Sequence, residues 1–118
     1  MAYNDFLADR IRILLKEKRV AFEEKKMMGG LCFMVDDKMC AGVEKDKLMA
    51  RIGPEAYDGA LTRKGCRKMD FTGRPMNGFV FVEPDGIDSD ANLSYWIQLC
   101  LDFNPKAKSS KKKKSNKI

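Results

Sequence analysis

Apolar residues recur at helical spacing in three stretches of the chain, which predicts three helices. The first is predicted over residues 3–19, where Asn4 or Asp5 can cap the N-terminus. Its apolar side chains fall on one face: Leu7, Ile11, Leu14 and Leu15. A short second helix is predicted over residues 54–63, because its leading proline suits a first helical position. The third is predicted over residues 88–104, with an inward face formed by Leu93, Trp96, Ile97, Cys100 and Leu101.

Between the first two helices the pattern is extended. Two paired strands are predicted at residues 25–35 and 38–43, joined by a turn at 36–37. The run 31–35 is apolar without interruption, which indicates burial on both faces, either under helices or in a subunit contact. A third strand is predicted at 48–52, where apolar residues alternate with other types.

Two further strands are predicted between the second and third helices. One passes through Met69 and Phe71, and the other covers residues 79–82, after a glycine-bounded turn at 73–78. The predicted order is therefore helix–three strands–helix–two strands–helix. That order defines an α+β domain, with a single antiparallel-type sheet and helices packed on it.

The net charge of +6 over 118 residues is concentrated at the C-terminus. Residues 106–118 hold seven lysines and no acidic residue: Lys106, Lys108, Lys111, Lys112, Lys113, Lys114 and Lys117. Without these, sixteen of the 23 basic residues face all 17 acidic ones, so residues 1–105 carry a net charge of −1. The sequence predicts one folded domain at 1–105 and a disordered lysine-rich tail at 106–118.

No segment approaches the roughly 18 consecutive apolar residues that a membrane span requires. The first residues also lack the basic and apolar regions of a secretory signal. We therefore expect a cytoplasmic protein without a membrane partner.

The four cysteines are scattered, and the chain has no histidine. Neither a C-x-x-C pair nor a mixed Cys–His zinc site can form, so we expect no metal site and no cofactor. Inert buried thiols are the favoured interpretation, and a regulatory pair of Cys32 and Cys40 is the alternative. A two-residue turn would pair Phe33 with Cys40 and place the two thiols on opposite faces, whereas a three-residue turn would place them on one face.

An enzymatic role would have to use cysteine, carboxylate, lysine or tyrosine chemistry. Cys66 beside Lys64 or Arg67, with a lowered thiol pKa, is the best candidate. No general base or orienting third group accompanies it in the sequence, so we expect no catalytic residue and no enzyme activity.

Two glycine-containing motifs carry a resemblance to a known family. The first opens the predicted hairpin with Met28, Gly29, Gly30 and Leu31. The second opens the last strand with Gly73, Arg74, Pro75, Met76, Asn77, Gly78 and Phe79. In this order, over about residues 5–103, they resemble the N-terminal domain of the TfoX/Sxy family. That family commonly has phenylalanine where this chain has Met28, and a turn glycine where it has Asp37.

The resemblance implies a fold like that of the type III secretion chaperones, a group that often dimerises. It also implies a link to natural competence, in which TfoX/Sxy proteins act as coactivators beside a DNA-bound activator. Full-length regulators carry a second, helical C-terminal domain, and this chain has the lysine tail in that place.

These observations lead to two functional hypotheses. The first is a non-enzymatic regulatory module that forms a dimer and binds a protein partner such as a transcription factor. Its motif residues are mainly structural, with Gly29 and Gly30 as candidate partner contacts and Arg74 as a candidate anion contact. The second is weak, sequence-independent nucleic-acid binding through the tail, with phosphate contacts from Lys111, Lys112, Lys113 and Lys114. The methionines between Met27 and Met76 can fill a core or form an adaptable binding surface.

Overall fold

Six antiparallel strands and three helices make up the residues that the computed structural model describes, which are 4–27, 30–69 and 78–107. The helices are α1 (Asp5–Glu17), α2 (Pro54–Ala60) and α3 (Asp90–Phe103). The strands are β1 (Glu23–Met27), β2 (Gly30–Val35), β3 (Lys38–Glu44), β4 (Lys47–Arg51), β5 (Cys66–Lys68) and β6 (Phe79–Val82). In space the strands follow the order β1-β2-β3-β4-β6-β5. The predicted α+β class and the alternation of helices with groups of strands are confirmed.

The first group contains four strands rather than the predicted three. The predicted single strand 25–35 is in fact two, because β1 runs antiparallel to β2 and Met27 pairs with Gly30. The sequence pattern missed β1 because Glu23, Glu24, Lys25 and Lys26 are all exposed and show no apolar alternation. β1 lies at the edge of the sheet, where charged side chains discourage pairing with another chain.

One face of the sheet is covered by all three helices. α1 contributes Leu7, Ile11 and Leu15, and α3 contributes Leu93, Trp96, Ile97 and Cys100, as the helical spacing predicts. These side chains pack on apolar strand residues that include Phe33, Leu48, Val80 and Val82. Asn4 caps α1 through its side-chain oxygen, which accepts hydrogen bonds from the backbone of Phe6 and Leu7. We call this side of the sheet the helix-covered face.

The opposite face of the sheet carries a sulfur-rich cluster. Cys32, Met34, Met39, Met49 and Met69 are each no more than 6% exposed, with Phe79 and Phe81 packed against them. We call these residues the methionine face. Since every residue of β2 is buried, the prediction that the apolar run 31–35 is covered on both sides is confirmed. The described methionines of this face fill a core and are not a binding surface.

A β-bulge at Cys40 adjusts the register of the central hairpin. Val35 pairs with Lys38 across a two-residue turn, whose residues Asp36 and Asp37 both have positive φ. Met34 then pairs with Met39, but Phe33 pairs with Ala41. Cys40 is therefore the extra residue, and the expected Phe33–Cys40 pair is wrong. Bulges of this kind redirect a side chain, and here Cys40 and its neighbour Ala41 both enter the helix-covered face.

Replacing Gly30 by alanine should destabilise the domain, because a Cβ at this position would lie 2.0 Å from the carbonyl oxygen of Val43. Backbone on β3 cannot yield as a flexible side chain would, so we expect a loss of about 2–3 kcal/mol in the free energy of unfolding. Gly59→Ala is the matched control, since an added Cβ in α2 meets nothing within 4 Å. It should be neutral or stabilising by up to about 1 kcal/mol. Urea denaturation measures both, and equal effects would contradict the close-approach role of Gly30.

Candidate functional site

The residues of the family motifs fall mostly outside the described chain. The structure does not describe six of them, which are Met28, Gly29, Gly73, Arg74, Pro75 and Met76. The tail residues Lys111, Lys112, Lys113 and Lys114 also lie outside the described residues. Their predicted contacts to a partner or to phosphate remain predictions. Gly30 and Gly78 are described, and both lie where two backbones meet.

Gly78 joins the start of β6 to the end of β4. It has a φ of 90°, a value that favours glycine, and its carbonyl oxygen accepts hydrogen bonds from the backbone N–H groups of Ile52 (2.8 Å) and Gly53 (3.1 Å). A Cβ on Gly78 would lie 3.2 Å from the carbonyl carbon of Gly53. The geometry gives Gly78 a structural role, in which it positions the chain that enters α2.

The four cysteines, all of which the structure describes, are free thiols. Cys32 belongs to the methionine face and Cys40 to the helix-covered face, so these two residues of the hairpin cannot form the disulfide considered above. Cys40 instead shares a hydrogen bond with Cys100 of α3 in the core. Sequence reasoning missed this neighbour, because the residue pattern does not show which helix residue packs over Cys40.

The thiols do not have the electrostatic surroundings of catalytic cysteines. Burial raises the pKa of Cys32 and of Cys66 to about 11. The nearby guanidinium of Arg63 lowers the pKa of Cys66, but by less than burial raises it. Burial and the hydrogen bond that the Cys100 thiol shares with Cys40 also raise the pKa of Cys100 well above its usual value. The lowered thiol pKa that a nucleophilic Cys66 would need is therefore not found.

The protein should lose stability as the pH rises above 9. The thiol of Cys32 titrates near 9.0 in the unfolded chain and near 11 in the folded protein. Over this window the unfolded state loses its proton first, so the free energy of unfolding decreases with pH. Cys32→Ala should make this decrease shallower, while the two proteins should show parallel curves between about pH 6 and 8. Urea denaturation across the range measures both, and identical slopes above pH 9 would contradict the assignment.

A cation–aromatic cluster stands on the outer surface of α3. The guanidinium of Arg63, in the turn after α2, lies 3.9 Å from the ring centre of Tyr95 and 5.9 Å from that of Trp96. Beside it is a cavity of about 220 Å³ lined by Arg63, Lys64, Gly86, Asn92 and Trp96. We call this cavity the Arg63 pocket.

The outer face of α1 presents two large apolar side chains to solvent. Phe6 is 73% exposed and Ile13 is 55% exposed. They are seven residues apart, which places them on the same face of the helix two turns from each other. Their neighbours on this side of α1 are charged, including Asp9, Lys16 and Glu17. We call Phe6 and Ile13 the α1 apolar pair.

The described residues contain no group of three or more cysteine, aspartate or glutamate side chains placed to hold a metal ion.

An apolar cleft of about 310 Å³ lies between the N-terminus of α2 and the C-terminus of α3, with Ile52, Leu99 and Phe103 in its wall. Its charged residues are Glu55, Asp102 and Lys106.

Comparison with known proteins identifies the family. The family model of the TfoX N-terminal domain matches residues 15–104, which is most of the chain. The protein therefore belongs to the TfoX N-terminal domain family, as the two glycine motifs predicted. No curated protein and no solved structure matches the chain.

Within residues 4–27, 30–69 and 78–107, every helix is too short or too polar to cross a lipid bilayer. This agrees with the absence of a long apolar segment in the sequence.

Proposed function

We propose that this domain is a non-enzymatic regulatory module that works by binding another protein, as its resemblance to the TfoX/Sxy competence regulators implies. Membership of the TfoX N-terminal domain family supports a regulatory role. The α1 apolar pair is the structural observation that favours protein binding. A transcription factor and a second copy of this chain are the proposed partners, and the cytoplasm is the proposed place of action.

The α1 apolar pair favours an interface because it is exposed in spite of its size. Phe6 and Ile13 together place two large hydrophobic side chains in water on one face of a helix that otherwise follows the amphipathic pattern. Protein interfaces typically have an apolar centre and a polar or charged rim, which is the arrangement of these residues. Burial of both side chains in a complex would contribute about 3–5 kcal/mol.

Catalysis is not part of the proposal. Among the described residues, Cys66 shares a cavity with the carboxylates of Glu83 and Asp85, but burial raises the pKa of its thiol to about 11, the opposite of what a nucleophile requires. The proposed activity therefore requires no cofactor.

The double substitution Phe6→Ser and Ile13→Ser should weaken partner binding or self-association by about tenfold or more, because it removes the apolar area that the interface would bury. Light scattering measures self-association, and a cross-linked pull-down with quantitative mass spectrometry measures partner recovery. The matched control is Asp9→Ser with Lys16→Ser, which changes the same helix but keeps the apolar pair. Both variants should unfold at nearly the wild-type temperature. Unchanged association in the Phe6/Ile13 variant would rule out this face as the interface.

The lysine tail favours a second candidate function, which is weak nucleic-acid binding. Seven lysines without an acidic residue among the last thirteen positions would attract phosphates without reading sequence. The truncation that tests this should follow Ala107, because Ala107 is only 7% exposed and the Asn104 side chain donates a hydrogen bond to the carbonyl oxygen of Val35. A cut at Pro105 would remove part of this packing.

Removal of residues 108–118 should abolish retention on DNA–cellulose at low salt. The intact chain should elute at a moderate salt concentration, and its affinity should fall steeply as salt increases, since binding of this kind depends on the release of counterions. A full-length variant with Lys111, Lys112, Lys113 and Lys114 replaced by glutamine should behave like the truncated protein. Equal retention of the truncated protein would show that the tail is not responsible.

A further inference from the structure

We propose that the Arg63 pocket binds a single carboxylate side chain of an acidic segment in the protein partner. This inference rests on the proposed protein-binding function and names one contact through which it works. Three observations carry it: the fixed position of Arg63, the lack of a salt bridge from any described carboxylate to Arg63 or Lys64, and the size and charge of the surroundings.

The backbone that carries Arg63 and Lys64 is held tightly against the turn at Pro84–Gly86. Gly86 lies so close to it that an added Cβ would be 2.4 Å from the carbonyl oxygen of Lys64. The N–H of Glu83 also donates a hydrogen bond of 2.8 Å to the carbonyl oxygen of Gly65. The two cations therefore project from a rigid turn, which lowers the entropy lost when they bind an anion.

The guanidinium of Arg63 is further oriented by its stacking on Tyr95 at 3.9 Å from the ring centre. A stacked guanidinium keeps its N–H donors at its edges, where a carboxylate can accept two of them at once. The described residues give neither Arg63 nor Lys64 a salt bridge. Asn92 adds a carboxamide to the pocket wall in the first turn of α3, at the positive end of the helix dipole.

The size of the pocket suits one side chain. A cavity of about 220 Å³ is smaller than the roughly 300–1,000 Å³ typical of sites for small-molecule ligands. The residues around it also match the composition of interface hot spots, which are enriched in arginine, tyrosine and tryptophan. An aspartate or glutamate of a protein partner would fit both features.

The charges around the pocket disfavour a nucleic acid. Asp85, Asp88 and Asp90 lie within a few residues of the pocket wall along the chain, and all three are exposed. Nearby, the Arg67 guanidinium already pairs with the Glu83 carboxylate at 3.0 Å. A nucleic-acid strand carries a charge at every phosphate and would be repelled by these neighbouring acids, whereas a protein segment can present one isolated carboxylate.

The pocket can be tested without the partner, because Trp96 is the one tryptophan in the sequence and lines the cavity. N-acetylglutamate α-amide, which carries a single side-chain carboxylate, should shift the Trp96 indole N–H signal in NMR spectra in a saturable way. The dissociation constant should be on the order of millimolar. The neutral glutamine analogue should produce no saturable shift. Absence of saturation with the carboxylate probe would overturn the proposal.

Substitutions then locate the binding groups. Arg63→Gln should weaken carboxylate binding by about threefold to tenfold, and Arg63→Lys should recover part of that loss because the charge returns without the planar fork. Lys64→Gln keeps the stack on Tyr95 and should also weaken binding. Arg67→Gln is the matched control on β5 and should bind like wild type. Equal binding by all four variants would contradict the assignment.

The partner experiment separates this inference from the proposed function. In a cross-linked pull-down, Arg63→Gln should recover much less partner than Arg67→Gln. If Arg63→Gln recovers partner as well as wild type while the Phe6/Ile13 variant does not, the pocket proposal fails and the protein-binding function stands. If the wild-type domain binds a DNA fragment through Arg63 but recovers no protein, both proposals fail.

Discussion

Burial of the sheet on both of its faces is the constraint on which the rest of the structure depends. The central strands β2, β3 and β4 are apolar on one side toward the helices and on the other toward the methionine face. Because both faces are used for folding, the described sheet leaves little apolar surface for a partner. Binding must then use the outer surfaces of helices and the turns between elements, which is where the α1 apolar pair and the Arg63 pocket lie.

Helical periodicity made much of this fold predictable, and residues without a periodic signal account for the errors. α3 and the five-residue inward face predicted for it agree with the structure except that Leu101 is only partly buried. β1 could not be predicted as a separate strand, because its Glu and Lys residues are exposed at the edge of the sheet and show no alternation of apolar and polar types. The bulge at Cys40 was also invisible, because residues 39–43 of β3 are all apolar and the register becomes clear only against the partner strand.

The Arg63 pocket could not be predicted, because the net charge of a segment does not show which charged side chains come together in the fold. Residues 1–105 are nearly neutral in net charge, and a net charge does not show where a charged binding surface lies. Folding places the turn that holds Arg63 and Lys64 beside the first turn of α3. Trp96 was expected to be a core residue, and it is, yet its edge also lines the pocket. A near-zero net charge therefore sets no limit on local electrostatics.

The α1 apolar pair and the Arg63 pocket fit one mode of binding when the expected affinity of each is considered. A pocket that binds a single carboxylate with a dissociation constant on the order of millimolar cannot retain a partner alone. Self-association through α1 would give each assembly two Arg63 pockets, and α1 and α3 share one rigid core, so the pockets would keep a fixed separation. A partner with two suitably spaced acidic side chains would then gain from the effective concentration of the second site. A weak pocket and a dimeric module therefore make physical sense together, whereas the same pocket on a monomer would contribute only to specificity.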